Sequence, residues 1–144
     1  MPPTDSEIRE ILTRARTVAI VGLSNRPEKD SNEVGRYLRS QGYRVIPVNP
    51  GVPEVFGERS YPSVGAIPKD VRVDIVDVFR RSDQVVPIAQ DAVRRGVRVF
   101  WMQLGIDNAE ADSLVREAGG TAIENQCIMT QHRRLGLPAV GPAR

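Results

Sequence analysis

The sequence contains few of the residues that form disulfides and metal sites. Among its 144 residues there is one cysteine, Cys127, and one histidine, His132. A single cysteine cannot form an internal disulfide, and these two side chains alone do not supply the ligand set of a structural zinc site. The sequence therefore predicts neither a disulfide-stabilised scaffold nor a metal centre.

Long apolar runs and clusters of one charge are also missing. No stretch approaches the roughly 20 apolar residues that cross a bilayer, and the first residues lack the basic and then apolar order of a signal peptide. The 20 basic and 18 acidic residues are spread along the chain, whereas nucleic-acid binding needs a concentrated basic face. We expect a cytoplasmic protein without a membrane or nucleic-acid partner.

The supply of core-forming residues, in contrast, is ordinary. Hydrophobic residues make up 40% of the 144 positions and charged residues 26%, which is enough material for one core. The end of the chain after Leu137 contains two prolines and a glycine and no periodic pattern. We expect a single domain over residues 1–140, followed by a tail at 141–144.

Short apolar segments alternate with amphipathic helical patterns along the chain. Strands are predicted near residues 18–21, 44–50, 73–79, 97–102 and 121–124. Helices are predicted near residues 4–16, 30–41, 84–95, 107–118 and 127–134. This alternation is typical of an α/β fold, and it predicts a doubly wound, Rossmann-like parallel sheet of about five strands with helices on both faces. The stretch between 51 and 71 is predicted to be irregular, and so long a connection is usually functional or has a short element of its own.

Polar residues at capping positions predict where three of these helices begin. The pairs with the spacing of a capping box or first-turn cap are Thr4 with Glu7, Asp30 with Glu33, and Asp107 with Glu110.

The first strand and the helix after it frame a candidate phosphate site. An apolar strand ends at Gly22, and the unpaired N–H groups of the following helix favour a bound anion. The loop lacks the glycine pattern Gly-x-Gly-x-x-Gly, and its side chains favour a larger or more highly charged phosphate group. Its polar and basic residues are Ser24, Asn25, Arg26, Lys29 and Ser31. An ordinary strand-to-helix turn with polar filler is the alternative.

The end of the second strand lacks the acidic residue that binds ribose in NAD-dependent Rossmann proteins. This chain has Val48, Asn49, Pro50 and Gly51 there. The amide of Asn49 is able to hydrogen-bond to a ribose, and the absence of an acid favours a phosphorylated ribose. The alternative interpretation is a simple turn.

Two further groups of charged residues follow or occupy the third predicted strand. Arg80 and Arg81 lie at its carboxyl end, where they suit either a phosphate or a solvated approach to the next helix. Asp74 and Asp77 have no nearby base, nucleophile or metal partner in the sequence, so we interpret them as strand-end and capping residues rather than as catalytic acids.

Five segments in this order resemble the stand-alone CoA-binding domain proteins, which are similar to the N-terminal domain of the succinyl-CoA synthetase α-subunit. The segments are residues 20–24 (IVGLS), 42–50 (GYRVIPVNP), 73–80 (VDIVDVFR) and 101–105 (WMQLG), followed by Cys127. The resemblance covers nearly the whole chain. The synthetase also has a second domain with a phosphorylated histidine, which this sequence does not contain.

The resemblance implies a role for residues in each of these segments. Gly22, Ser24, Arg26 and Lys29 would bind phosphates, and Val48, Asn49 and Pro50 would line the ribose. Phe79 and Arg80 would lie beside the adenine, while Met102, Gln103 and Gly105 would flank the pantetheine. Cys127 is interpreted as a packed small residue or, after a helix N-terminus near the pantetheine thiol, as a partner in a mixed disulfide.

These observations favour a protein that binds coenzyme A or an acyl-CoA as a non-catalytic carrier, sensor or regulator. No set of nucleophile and base is evident, so an enzyme is the less favoured interpretation. The alternatives are an NAD(P)-dependent oxidoreductase and a nucleotide-binding regulatory subunit that recruits a protein partner through its first helix.

Overall fold

The computed structural model describes residues 2–141, so most of the tail predicted at 141–144 lies outside the described residues. The strands are β1 (Thr17–Val21), β2 (Arg44–Val48), β3 (Glu54–Val55), β4 (Glu58–Arg59), β5 (Ile75–Val78), β6 (Val99–Met102) and β7 (Thr121–Ile123). The helices are α1 (Asp5–Arg14), α2 (Asp30–Ser40), α3 (Val85–Arg95), α4 (Ala109–Glu117) and α5 (Ile128–Arg134).

Five of the strands form one parallel sheet in the order β2-β1-β5-β6-β7. All five residues of β1 are buried, which explains why the four residues after Thr17 are continuously apolar instead of alternating. The predicted doubly wound α/β fold with about five parallel strands is confirmed.

Helices cover both faces of the sheet, so the structure has two apolar layers. On one face, buried residues of α1, α2 and α5 pack against alternate residues of the strands, including Ile20, Ile75 and Trp101. On the other face, α3 and α4 pack against the intervening residues, including Val76 and Phe100. The carboxyl ends of the parallel strands lie along one edge of the sheet, where the loops that follow each strand begin.

Two of the predicted helix starts have different outcomes. Thr4 and Glu7 form the expected capping box, in which the Glu7 N–H donates to Thr4 Oγ1 (3.2 Å) and the Thr4 N–H donates to Glu7 Oε1 (3.1 Å). The assignment of Asp107 as the cap of α4 is wrong. Asn108 occupies that position, and its Oδ1 accepts from the Ala111 N–H at 2.9 Å.

The long connection after β2 contains short elements of its own, as predicted. β3 and β4 form a small antiparallel hairpin, and a 3-10 turn follows at Val64–Ala66. The Arg95 guanidinium, at the end of α3, holds this connection in place by donating to four carbonyls at 2.6–3.1 Å. The four acceptors are Val64, Ile67, Pro68 and Val71.

His132 joins α5 to α2. It is 1% exposed, and the distance between its Nδ1 and the Tyr37 hydroxyl is 2.7 Å. Burial lowers the pKa of His132, although the nearby Pro138 carbonyl opposes this shift. The folded protein therefore takes up a proton at His132 less readily than the unfolded chain does.

We expect the free energy of unfolding to fall as the pH drops below about 6.5, by no more than about 1.4 kcal/mol per pH unit from this group. The reason is that the unfolded histidine gains a proton in this range, whereas the folded one resists it. Denaturant unfolding at several pH values should show a weaker dependence for His132→Gln, whose amide oxygen is able to accept from Tyr37. Identical pH dependences in the two proteins would exclude His132 as the source.

Candidate functional site

The strand order reverses between β1 and β5 at the carboxyl edge of the sheet. β1 lies between β2 and β5, and the chain builds outwards from it in both directions. Open α/β sheets bind ligands at such a switch point, because the loops after the two adjacent strands separate and leave a crevice. The loop after Gly22 and the segment at Phe79 and Arg80 flank this position.

Gly22 allows the close turn that opens the crevice. Its φ is +89°, and its N–H donates to the Val48 carbonyl at 2.8 Å. A Cβ at this position would lie 2.4 Å from the carbonyl oxygen of Phe79, far inside van der Waals contact. Any side chain would therefore displace the end of β5, so the turn requires glycine.

The loop after Gly22 is folded over the first turn of α2. The Ser24 N–H donates to Ser31 Oγ at 3.0 Å, and the Asn32 side-chain amide donates to the Ser24 carbonyl at 2.9 Å. The Ser24 hydroxyl accepts from the Arg26 N–H at 3.0 Å. Ser31 is 6% exposed, so its hydroxyl binds the loop from the buried side. The loop is thus ordered by its own side chains.

The prediction that Asp30 caps α2 is wrong. The helix begins at Asp30 itself, and Lys29 occupies the N-cap position without a side-chain hydrogen bond. The side chains of the first turn that do form hydrogen bonds are those of Ser31 and Asn32, and both bind the loop at Ser24. The first N–H groups of a helix have no partner within the helix, so this end of α2 presents donors to the crevice.

The basic residues of the loop lie at the surface. Asn25, Arg26 and Lys29 are exposed, and Arg26 Nη2 lies 2.8 Å from a Glu28 carboxylate oxygen. That ion pair is weak because both side chains are more than half exposed, at 64% and 60%. Arg36 was missed by the sequence reasoning, and its guanidinium supports the loop by donating to the Pro27 carbonyl at 2.9 Å.

Asn49 joins the turn after β2 to the loop after β1. Its side-chain amide donates to the Leu23 carbonyl at 3.0 Å, and its Oδ1 accepts from the Gly51 N–H at 2.9 Å. These bonds engage both ends of the amide that was predicted to contact a ribose, and they fix its orientation. Val48 is 2% exposed, so its side chain belongs to the core, whereas Pro50 is exposed at the turn.

Three residues at the end of β6 and just after it were predicted to flank pantetheine, but not all of their side chains reach the carboxyl edge. Met102 is fully buried in the layer under α3 and α4, so only its backbone reaches the crevice. Gln103 is 3% exposed, and its Oε1 accepts from the Ile128 N–H at 3.1 Å. Gly105 is exposed, and its N–H donates to Asn125 Oδ1 at 2.6 Å.

Cys127 is the N-cap residue of α5 and is half-buried. On the same face of the sheet, Asp77 is 0% exposed, and neither of its carboxyl oxygens has a hydrogen-bond partner among residues 2–141. Burial raises the pKa of Asp77 well above its ordinary value, and the charge of a Cys127 thiolate adds to the effect. Burial without a partner among these residues therefore favours the protonated, neutral form of the Asp77 carboxyl.

The two aspartates of the β5 segment have different roles. Asp74 is a strand-end residue, as predicted, and its Oδ2 accepts from the N–H groups of Arg16 (2.9 Å) and Thr17 (3.0 Å). The corresponding interpretation of Asp77 is wrong, because it lies inside β5 and caps nothing. The sequence did contain a signal for this burial, because Asp77 is a charged residue within an otherwise apolar run. Both faces of a central parallel strand are covered by helices, so a charged residue there is buried whichever face it points to.

A groove of about 740 Å³ lies at the opposite, amino edge of the sheet. Arg14, Lys69, Arg72 and Asp74 are among the residues that line it. Arg72 is paired with Asp74 at 3.0 Å, so part of its charge is compensated. This groove contains none of the predicted site residues, and it provides surface positions for control substitutions.

Within the described residues, no cluster of three or more histidine, cysteine and acidic side chains is arranged to hold a metal ion. In the same part of the chain, no helix is long and apolar enough to cross a membrane.

Comparison with known proteins gives a consistent result. Residues 16–133 match the sequence profile of a family described as CoA binding domain. The uncharacterized protein YneT of Bacillus subtilis is 41% identical over 130 residues, which are 90% of this chain and 95% of that protein. A hypothetical protein from Pyrococcus horikoshii has a solved structure with a TM-score of 0.89 and 41% identity, covering 95% of this chain and 97% of that one.

One longer relative has a function in its name. The α-subunit of an ADP-forming acetate–CoA ligase II from Pyrococcus furiosus is 42% identical over 130 residues. The match covers 88% of this chain but only 26% of the subunit. The similarity therefore concerns one region of that subunit.

Proposed function

Since the chain belongs to the family of CoA binding domains, we propose that it binds coenzyme A or an acyl-CoA at the carboxyl edge of its sheet, as a carrier, sensor or regulator. The observation that carries the proposal is the turn at Gly22, which lies at the switch point of the sheet. At this turn the backbone passes close to the end of β5, and a polar loop leads into the start of α2. Coenzyme A has a diphosphate and a ribose phosphate, and donors in this arrangement suit such groups.

The proposed contacts follow the positions of the side chains. The exposed side chains of Arg26 and Lys29 would turn towards the ligand and bind its phosphates. The ion pair of Arg26 with Glu28 is exposed and too weak to prevent this. Ser24 and Asn25 would add side-chain donors from the same loop. The ribose would contact the backbone of the turn at Asn49 and Pro50, since the Asn49 amide is already bound.

The rest of the ligand would lie along the neighbouring loops. The adenine would lie beside Phe79 and Arg80, both half-buried at the end of β5. Pantetheine would pass Gly105 and the backbone of Met102 and reach towards Cys127, while Gln103 would hold the start of α5 in place. In this arrangement the ligand would extend along the carboxyl edge from β2 to β7.

We expect CoA to raise the melting temperature of the protein, and NADP to have no effect. A ligand that binds only the folded state at a hundred times its Kd adds about 2.7 kcal/mol to the free energy of unfolding. Thermal unfolding with increasing CoA, dephospho-CoA or NADP measures this directly. Stabilisation by NADP without stabilisation by CoA would instead favour an oxidoreductase.

The basic loop residues provide a sharper test. The double variant Arg26→Ala with Lys29→Ala should weaken CoA binding by about 100-fold or more in calorimetric titration, since each charge-assisted hydrogen bond to a phosphate contributes about 1.5–3 kcal/mol. The matched control is Arg14→Ala with Lys69→Ala, which removes the same charge at the amino edge. Equal loss of affinity in both variants would indicate general electrostatic attraction rather than a phosphate site in the loop.

A further inference from the structure

Asp77 places a carboxyl group inside the sheet, in the central strand β5. It is 0% exposed, and none of the described residues forms a hydrogen bond with either carboxyl oxygen. Buried polar groups are normally hydrogen-bonded, because burial without a partner costs stability. A neutral carboxyl group has one O–H donor and one free acceptor oxygen, so Asp77 is able to give and to receive a proton.

The only thiol of the chain lies on the same face of the sheet. Side chains alternate along a strand, so Asp77 points to the same side as Phe79, two residues later. Phe79 and Cys127 are both partly buried members of the apolar layer on that side. Cys127 is also the ionisable group whose charge acts on Asp77. The thiol and the carboxyl therefore lie on the same face of the sheet, each in the part of the chain that leads to the carboxyl edge.

The backbone around Cys127 is fixed against that edge from both sides. The Gln126 N–H donates to the Met102 carbonyl at 3.2 Å, and the Gln126 carbonyl accepts from the Trp101 indole at 2.8 Å. On the other side, the Ile128 N–H donates to Gln103 Oε1 at 3.1 Å. The thiol is therefore presented by an ordered segment, and Cys127 itself is only half-buried.

We propose that Cys127 accepts the acyl group of a bound acyl-CoA, and that the Asp77 carboxyl group relays the proton. The proposal rests on the proposed function and deepens it, because the protein then carries the acyl group as well as binding CoA. The observation that supports it is a fully buried carboxyl, unpaired among the described residues, on the same face of the sheet as the single thiol.

The step is a thioester exchange. The Cys127 sulfur attacks the thioester carbonyl carbon, a carbon–sulfur bond forms, and the bond from that carbon to the CoA sulfur breaks. The thiol proton passes to one oxygen of the Asp77 carboxyl, while the O–H proton of the carboxyl passes to the CoA sulfur. The carboxyl ends with one proton, as it began, and free CoA leaves. One thioester replaces another, so no oxidant and no further energy source are required.

Intact-protein mass spectrometry after incubation with acetyl-CoA tests the step. We expect a gain of one acetyl group in the full-length protein, mapped to Cys127 by peptide analysis and absent from Cys127→Ala. S-acetyl-N-acetylcysteamine, a thioester without the nucleotide, should acetylate the same residue much more slowly at equal concentration. Thermal unfolding with CoA is measured on the same sample.

The role of Asp77 is tested by Asp77→Asn, which keeps the shape of the side chain but removes the acid. Acetylation should slow by about 100-fold at neutral pH, the range typical of lost general acid–base catalysis. The difference from wild type should narrow as the pH rises, because a thiolate does not need a neighbouring group to take its proton. A merely structural role would instead give the same ratio of rates at every pH.

The outcomes distinguish a failure of acyl transfer from a failure of CoA binding. Stabilisation by CoA without acetylation of Cys127, or with a CoA mass on the thiol instead of an acetyl group, would overturn acyl transfer and leave CoA binding intact. Equal acetylation by the nucleotide-free thioester would also overturn it, because the reaction would not use the bound ligand. A rate ratio for Asp77→Asn near one would remove Asp77 from the step. Absence of stabilisation by CoA would overturn the proposed function and this proposal together.

Discussion

Replacing Gly22 with alanine should destabilise the protein by about 2–5 kcal/mol and abolish stabilisation by CoA. Two costs add at this position. The backbone has a φ of +89°, which alanine adopts only with strain, and the new Cβ would lie 2.4 Å from the Phe79 carbonyl oxygen. That oxygen belongs to the backbone at the end of the central strand β5, so the clash is not relieved by a rotamer change. Denaturant unfolding and CoA titration of the variant measure the two effects.

Gly96→Ala is the matched control. Gly96 has a similar φ of +82° at the end of α3, but a Cβ there would meet no atom within 4 Å. We expect a loss of only about 1 kcal/mol, from the backbone conformation alone, and unchanged binding of CoA. Similar losses in the two variants would show that the contact with Phe79 contributes nothing, and that the turn does not require glycine for steric reasons.

Asp77→Asn should have the opposite effect and raise the stability of the protein at neutral pH. The raised pKa means that the folded protein keeps a proton on Asp77 at pH values where the unfolded chain, with an ordinary aspartate, has lost it. Ionisation of the unfolded chain therefore favours unfolding. The contribution to stability is fully present below about pH 4 and falls by up to about 1.4 kcal/mol per pH unit as the pH rises towards the folded pKa.

The variant removes this dependence because asparagine does not ionise. The free energies of unfolding of variant and wild type should therefore diverge steadily above about pH 4. Asp74→Asn serves as the control, because the Asp74 carboxylate accepts hydrogen bonds from Arg16 and Thr17 and its loss should reduce stability. A less stable Asp77→Asn protein with an unchanged pH dependence would mean that Asp77 is ionised and has a partner in the folded state.

The general architecture was readable from the sequence because local and global signals agree. The apolar run of β1, the glycine after it and the helical pattern that follows all predict one strand-turn-helix unit. The capping box of α1 was equally clear, since Thr4 and Glu7 are the only groups needed to form it. Signals of this kind depend on residues close together in the chain.

The errors arose where distant residues decide between similar local choices. Asp107 and Asn108 are both good caps, but the Asn108 side chain also donates to the Ser82 carbonyl at 3.0 Å, which selects it. The sequence also did not indicate which face of the sheet each side chain of β6 points to. Its residues are apolar on both faces, so no alternation shows that Met102 points away from α5. Arg95 was missed because its acceptors lie 24–31 positions earlier.

The hydrogen bonds of Asn49 also bear on the speed of ligand capture. Because its amide connects the Leu23 carbonyl to the turn after β2, two of the segments expected to surround a nucleotide are held together in the free protein. The conformational entropy of these two segments is therefore lost when the protein folds and not when the ligand binds. Association should then proceed in one kinetic phase that scales with ligand concentration, without a slower step for loop ordering.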